Sequence, residues 1–300
     1  MKALISGASG FVGQALIERW RESGHEVLPL VRERSLSSSE TVYWSPNQDV
    51  LDVGKIEGFD VIVHLAGESI VGRWTETKKR RIRQSRVKGT ALLARAVSGL
   101  RHPPGVFLCA SAVGFYGDRG DEVLDESSES GTDFLAEVAR EWEEASRLIE
   151  GRSRLVNMRF GVILDPSGGP LPAMMRPFRF GLGGPVGPGT QWQSWITLED
   201  VLRAIDFIKD NDDIKGPVNV VSPNPVQQRA FAKSIGRALS RPSFLPVPSL
   251  AVKLLMGEMG RGLLLSSTRV KPKVLLDHGF DFEGKDIDRV LDQFMGEARA

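Results

Sequence analysis

The chain predicts an α/β fold built on a doubly wound parallel sheet with a smaller C-terminal lobe, and three observations carry that expectation. Short apolar, β-rich runs alternate with helical patterns through the first 220 residues. The runs are apolar throughout rather than at every second position, as expected of strands covered on both faces. A glycine-rich turn joins the first run to the first helical pattern, and right-handed crossovers then place helices on both sides of the sheet.

In chain order, strands are expected at 2–6 (KALIS), 26–31 (EVLPLV), 41–44 (TVYW), 60–66 (DVIVHLA), 105–110 (GVFLCA), 155–160 (LVNMRF) and 217–221 (PVNVV). Helices are expected at 11–23, 75–98, 132–149, 199–209, 227–239 and 286–297, where apolar residues recur at helical spacing. The stretch 165–195 breaks the rhythm with Gly and Pro and is too long for a plain connector, so it reads as a lid or second-lobe segment. Beyond Pro223 the chain becomes helices with Pro-rich joints, FLPVPS and VKPKVL. The expected division is a sheet domain over 1–164, rejoined by 217–221, interlocked with a substrate lobe over 165–300. SLSSSE at 35–40 reads as a mobile loop.

Composition narrows the function classes. Three hundred residues, 26% charged and 41% hydrophobic, suit a soluble globular protein with a sizeable core. A net charge of +1 gives no global reason to expect nucleic acid or an acidic surface as partner. The one cysteine, Cys109, cannot form an intrachain disulfide and sits in apolar GVFLCAS, which fits a reducing compartment. The first strand begins at residue 2, leaving no room for a signal peptide, and no apolar run is long enough to span a bilayer. A cytoplasmic protein without a membrane partner is expected.

The strongest motif is LISGASGFVGQALIERW. Gly7 permits a tight turn after the strand, Gly10 lets the backbone approach a pyrophosphate, and Gly13 lets the helix pack closely on the sheet. A Rossmann-type dinucleotide site is therefore expected. The ribose acceptor belongs at the end of the second strand, which reads LVRER. A carboxylate there suits NAD(H), whereas an arginine suits the 2′-phosphate of NADP(H). Arg32 comes first off the strand and Glu33 should point away, so NADP(H) is favoured over NAD(H); the rival reading is a solvated charge run that leaves Glu33 on the ribose.

Strand–GASGFVG–helix, VIVHLAGES, CASAVGFYG, RFGVIL and SWITLEDV together resemble the extended short-chain dehydrogenase/reductase superfamily, which includes nucleotide-sugar epimerases and dehydratases. LAGESIVGRWTETKKRRIRQSRVKGT, FRFGLGGPVGPGTQWQSWITLEDV and RVKPKVLLDHGFDF are more specific and resemble its atypical epimerase-family branch of unknown substrate. The resemblance covers nearly the whole chain. It implies cofactor contacts from Gly7, Ser9, Gly10, Phe11, Val12, Gly13, Val31, Arg32, Leu65, Ala66, Gly67, Arg86, Ser111 and Ile163. It also implies a small-molecule substrate, nucleotide-linked or phosphorylated.

The superfamily's usual chemistry uses a tyrosine with a lysine four residues on, beside a serine that polarises the substrate oxygen. This chain has two tyrosines; Asn47 follows Tyr43 at four residues and Gly120 follows Tyr116. On the expected helix DFLAEVAREWEEA the pair would fall at Leu135 and Ala139, or at Phe134 and Val138. The serine position is kept as Ser111, and the supporting asparagine position holds Arg86, as the atypical branch tends to do. The chain is thus expected to be an epimerase-like oxidoreductase without that pair, or a non-catalytic NADP(H)-binding sensor or scaffold.

Other residues admit two readings each. Arg86 is either a cofactor or substrate-phosphate ligand or a surface arginine. Tyr116, just past the fifth strand, is either a substitute acid or a packed ring. Glu68 and Asp118 are loop carboxylates able to act as a base, with no partner visible in sequence. His64 reads as a buried or cofactor-adjacent strand residue. Lys78, Lys79, Arg80, Arg81, Arg83, Arg86 and Lys88 form a basic stretch that reads as a solvated helix face rather than a nucleic-acid site. The four histidines show no metal-ligand spacing, so no metal is expected. GLGGPVGPG lacks the Lys-Ser/Thr of a P-loop and reads as a cleft wall, with Trp192 and Trp195 either lining the cleft or packing. Relatives often dimerise through the helices at 75–98 and 132–149, and the charges here permit a homodimer.

Overall fold

The computed structural model describes residues 1–36 and 38–297. Its centre is an eight-stranded sheet: β1 Lys2–Ser6, β2 Glu26–Val31, β3 Val42–Ser45, β4 Val50–Leu51, β5 Val61–His64, β6 Val106–Ala112, β7 Arg154–Phe160 and β8 Gly216–Val220. The spatial order is β8-β7-β6-β5-β1-β2-β3-β4, all neighbours parallel except the antiparallel β3–β4 pair. The order reverses direction between β1 and β5, which opens a crevice at their carboxyl ends. All seven expected strands are present; the two-residue β4, too short to leave a pattern, is additional.

Alternation within each strand divides the core into two layers. Ala3, Ile5, Val61, Val63, Val106 and Leu108 pack with Leu16 and Trp20 of α1 (Phe11–Glu22) on one face. Leu4, Ile62, Phe107 and Cys109 pack with Leu92, Leu93 and Val97 of α2 (Glu76–Ser98) on the other, where α3 (Phe134–Ser146) adds Trp142. The expected helix 132–149 ends earlier, at Ser146, and continues as a 3-10 turn.

The stretch 165–195 is more ordered than its Gly and Pro content suggested. It holds α4, Leu171–Arg179, in which Leu171, Met175 and Phe178 are buried despite Pro177. They pack with α6 (Gln228–Ala238) and α9 (Ile287–Glu297) in a separate core around Trp195. Between them lie α5 (Leu198–Asp210), a kinked α7 (Ser249–Gly260) and a short α8 (Lys273–Asp277). Val201, Ile205 and Ile208 of α5 pack under the main sheet with Leu275 and Phe280. Of SLSSSE, Ser37 lies outside the described residues; Thr41 Oγ1 closes the stretch by donating to the Leu36 carbonyl at 2.6 Å. No helix among the described residues is long and apolar enough to cross a membrane.

Candidate active site at the switch point

The glycine turn is fixed by sterics. Gly7 has φ +71°, and a Cβ there would lie 2.7 Å from the Leu65 carbonyl carbon and 2.9 Å from Ala66 N. A Cβ on Gly13 would stand 2.3 Å from the Gly7 oxygen, so the helix reaches the turn only without a side chain. Ser6 locks the two loops together: its Oγ accepts from the amides of Leu65 (3.1 Å) and Ala66 (3.3 Å). The same Oγ lies 2.6 Å from His64 Nδ1, while His64 Nε2 meets Thr90 Oγ1 of α2 at 2.9 Å. Burial pushes the His64 imidazole down to about 3, so it is neutral in this setting. His64 is therefore a structural hub behind the turn.

Thr75, Asp133 and Thr197 cap the N-termini of α2, α3 and α5, whereas those of α1, α4, α6, α7 and α8 have no side-chain cap. That of α1 also has no acidic residue in its first turn, so its amides and dipole remain available to an anion. A cleft of about 930 Å³ opens there, lined by Gly7, Ser9, Gly10, Val31, Leu65, Ala66 and Gly67. Arg32 lines it with no ion pair among the described residues. Glu33, expected to point away, lines the cleft too. Phe11, Val12 and Ile163 pack together against the sheet core, and the Phe11 ring leaves no space for a side chain at Gly168 or Gly169.

Arg86 is not a surface arginine. Its Nη1 donates to the carbonyls of Glu68 (3.0 Å) and Ile82 (3.2 Å), and the guanidinium lies 5.1 Å over the Trp142 ring. A Cβ on Gly67 would sit 3.3 Å from its Cζ, so the β5 loop lies directly on it. Burial pulls its pKa down to about 10, partly offset by Glu68. Glu68, a candidate base in sequence, is ion-paired to Lys78 and Arg81 at 2.9 Å each, which holds its carboxyl below the ordinary range.

The rest of the α2 basic stretch is divided: Lys79 meets Glu258 at 2.8 Å and Arg83 meets Glu137 of α3 at 2.9 Å, while Arg80 and Lys88 are exposed and make no ion pair among the described residues. Asp118 accepts from the Ser267 amide. Trp195 is buried and donates to the Asn224 carbonyl, so it packs. Trp192 donates to Asp121 and carries Arg269 over its ring.

At the carboxyl end of β6 a polar chain joins Ser111 and Tyr116 to Glu143, Arg159 and Asn219, three residues that sequence reasoning missed. Ser111 Oγ donates to Glu143 Oε1 at 2.6 Å. Arg159 holds both oxygens of Glu143, from Nε and Nη2 at 2.8 Å each, and donates from Nη1 to Tyr116 Oη at 2.9 Å. Tyr116 in turn donates to Asn219 Oδ1 at 2.7 Å. The Arg159 guanidinium stacks 3.5 Å over Phe115. Tyr116 is buried, and desolvation pushes its phenol up to about 12 despite Arg159. The one available signal was a charged residue inside the apolar strand LVNMRF.

Residues 3–221 match the model of the NAD dependent epimerase/dehydratase family. The chain belongs to that family. Residues 247–294 match a domain of unknown function, DUF1731. The Mycobacterium bovis "Epimerase family protein Mb2239" is 38% identical over 96% of this chain and 95% of its own length. A crystal structure of human epimerase family protein SDR39U1 with NADPH superposes with a TM-score of 0.90 at 30% identity, covering 99% of each chain. A nucleoside-diphosphate sugar epimerase from Corynebacterium glutamicum gives 0.81 at 34% identity, over 99% of this chain and 58% of that one.

In this epimerase-family member, the α3 positions marked by the resemblance are apolar. Leu135 lies against Gly114 of the turn after β6, and Ala139 is buried. Phe134, the other register, stacks edge-on to Trp74, and Val138 is buried beside it. One turn past Ala139 comes Glu143, the acceptor of Ser111.

Proposed function

We propose that this epimerase-family protein is an NADP(H)-dependent oxidoreductase or epimerase acting on a small nucleotide-linked or phosphorylated substrate, without the Tyr–Lys pair. The observation that carries the cofactor reading is the uncapped α1 N-terminus opening into a cleft lined by Arg32, which makes no ion pair among the described residues. The Gly7–Gly13 turn and the α1 amides would hold the pyrophosphate, Arg32 the 2′-phosphate, and Leu65–Gly67 the adjoining ribose. The NADPH-bound human relative supports this choice, and the designation of the Corynebacterium protein supports a nucleotide-linked substrate. When bound, the nicotinamide supplies hydride exchange.

Proton handling falls to Ser111 and Glu143. Ser111 directs its own proton at Glu143 Oε1, leaving its lone pairs to accept from a substrate hydroxyl. A proton accepted at Ser111 Oγ is matched by release of the serine proton to Glu143. Arg159 holds Glu143 in place through both oxygens. Tyr116 takes no part, since its hydroxyl is committed to Arg159 and Asn219.

The test is NADPH-dependent turnover across a panel of nucleoside-diphosphate sugars and small phosphorylated carbonyls. Ser111→Ala and Glu143→Gln should lower turnover far more than they lower NADPH affinity. Tight NADPH binding with no turnover on any compound favours the sensor reading, to which the apolar Leu135 and Ala139 lend support.

A further inference from the structure

The C-terminal lobe carries an apolar surface that the cofactor reading does not use. Phe180 and Leu182 follow α4, Phe244 precedes α7, and Leu250, Leu254 and Leu255 lie on α7; all are more than half exposed, Leu254 and Leu255 at 76% and 84%. These segments are neighbours in space. Leu245 N donates to the Gly183 carbonyl at 3.2 Å, Val247 N to Pro185 O at 2.8 Å, and Gly187 N to Val247 O at 2.8 Å. A single ridge therefore displays bulky aliphatic and aromatic side chains, where isolated exposed leucines would call for no explanation.

Its charge is one-sided. From 214 to 257 the sequence contains no Asp or Glu and six Lys or Arg, 166–198 contains two Arg and no acid, and the one acid of α7, Glu258, is paired to Lys79 at 2.8 Å. Arg179, Arg241 and Lys253 stand beside the ridge residues in sequence, are exposed, and make no ion pair among the described residues. By contrast, Arg237 of α6 is paired to Asp288 and Asp292. The net charge of +1 conceals this segregation, which is why composition gave no hint of an acidic surface as partner.

We infer that this ridge docks onto an anionic lipid bilayer, with Leu250, Leu254 and Leu255 entering the headgroup–acyl boundary and Arg179, Arg241 and Lys253 meeting lipid phosphates. The expectation of no membrane partner came from the lack of a spanning segment, and a peripheral helix needs none. Three arguments favour a bilayer. Side chains three-quarters exposed project outward and gain burial by insertion. An isologous pairing of two copies would bring the unpaired cations face to face. Pro246 and Pro248 before α7, and the non-helical Gly257 (φ +60°, ψ −136°) within it, set the apolar turns of α7 apart as a short unit. The inference stands independently of the proposed reaction.

The experiment is flotation of the full chain with vesicles of phosphatidylcholine alone and of phosphatidylcholine mixed with phosphatidylglycerol. Roughly hundredfold stronger partitioning onto the anionic vesicles is expected from three near-surface cations, and it should fall at high salt. Leu254→Glu/Leu255→Glu should abolish flotation, and Arg179→Glu/Lys253→Glu should remove the preference for phosphatidylglycerol. Unchanged NADPH affinity and melting temperature would certify that both variants are folded, since every substituted side chain is exposed. No flotation, equal flotation on both vesicle types, or full flotation of the Leu254→Glu/Leu255→Glu variant overturns the inference. So does lipid-independent self-association that the same substitutions abolish, which would assign the ridge to a second copy.

Discussion

Ser111 Oγ and Glu143 Oε1 are 2.6 Å apart, and the same carboxylate is gripped at both oxygens by Arg159. Ser111 of β6 and Glu143 of α3 thus form a unit whose carboxylate is held by a cation on β7. The Arg159 side chain is 4% exposed and that of Glu143 13%, so removing either leaves a buried charge uncompensated. Arg159→Met alone should destabilise the fold by about 3–5 kcal/mol, and Arg159→Met/Glu143→Leu should recover much of that loss. Urea unfolding of the single and double variants checks this; equal losses would mean that the ion pair is not the linkage.

Cofactor choice rests on Arg32. Arg32→Glu should lower NADPH affinity by about tenfold or more, as loss of a charged hydrogen bond to phosphate predicts, and turn the preference toward NADH. Titration of both cofactors by fluorescence decides it. Since Glu33 also lines the cleft, an unchanged ratio would mean that the ribose contact belongs to the neighbouring residue.

Gly13→Ala tests the close approach of helix and turn. Its Cβ would lie 2.3 Å from the Gly7 oxygen and 3.0 Å from the Gly7 carbonyl carbon, both backbone atoms that cannot rotate aside. The chain should lose about 1–3 kcal/mol of stability and its NADPH binding together. Calorimetry in the presence and absence of NADPH reads both effects.

His64 makes stability depend on acid. Its folded pKa of about 3 lies below the ordinary 6.5, so the unfolded chain binds the proton more readily. The contribution of the neutral ring is fully present above pH 6.5 and is lost as pH falls from 6.5 toward 3, at up to about 1.4 kcal/mol per pH unit. Between pH 7 and 5 the fold should weaken by about 2 kcal/mol from this group. Denaturant melts across that range, compared with His64→Gln, should show the slope flattening in the variant.

What the sequence made legible was whatever one stretch of chain decides by itself. The strands at 2–6 and 26–31 coincide with β1 and β2, and the glycine turn with the close packing of Gly7 and Gly13. What needed tertiary partners was hidden. Glu68 meets Lys78 and Arg81 across a loop, and Tyr116 gives its proton to Asn219, 103 residues away. The helix at 171–179 holds Pro177 in its interior, and burial of Leu171, Met175 and Phe178 outweighs that cost. Glu143 looked like another solvent-facing acid of EWEEA, because the sequence does not say that β7 aims an arginine at it.

At one margin of the sheet, the Asn219 amide of β8 donates to Glu126 Oε1 at 3.0 Å, and that oxygen also takes the Val274 amide. At the other margin, β4 is two residues long and runs antiparallel. A carboxylate thus occupies a donor that an incoming strand would need, and the opposite border offers too short a template to extend. Ladder growth from chain to chain is therefore disfavoured at both ends of the eight-stranded sheet, which turns assembly toward its helices and the C-terminal lobe.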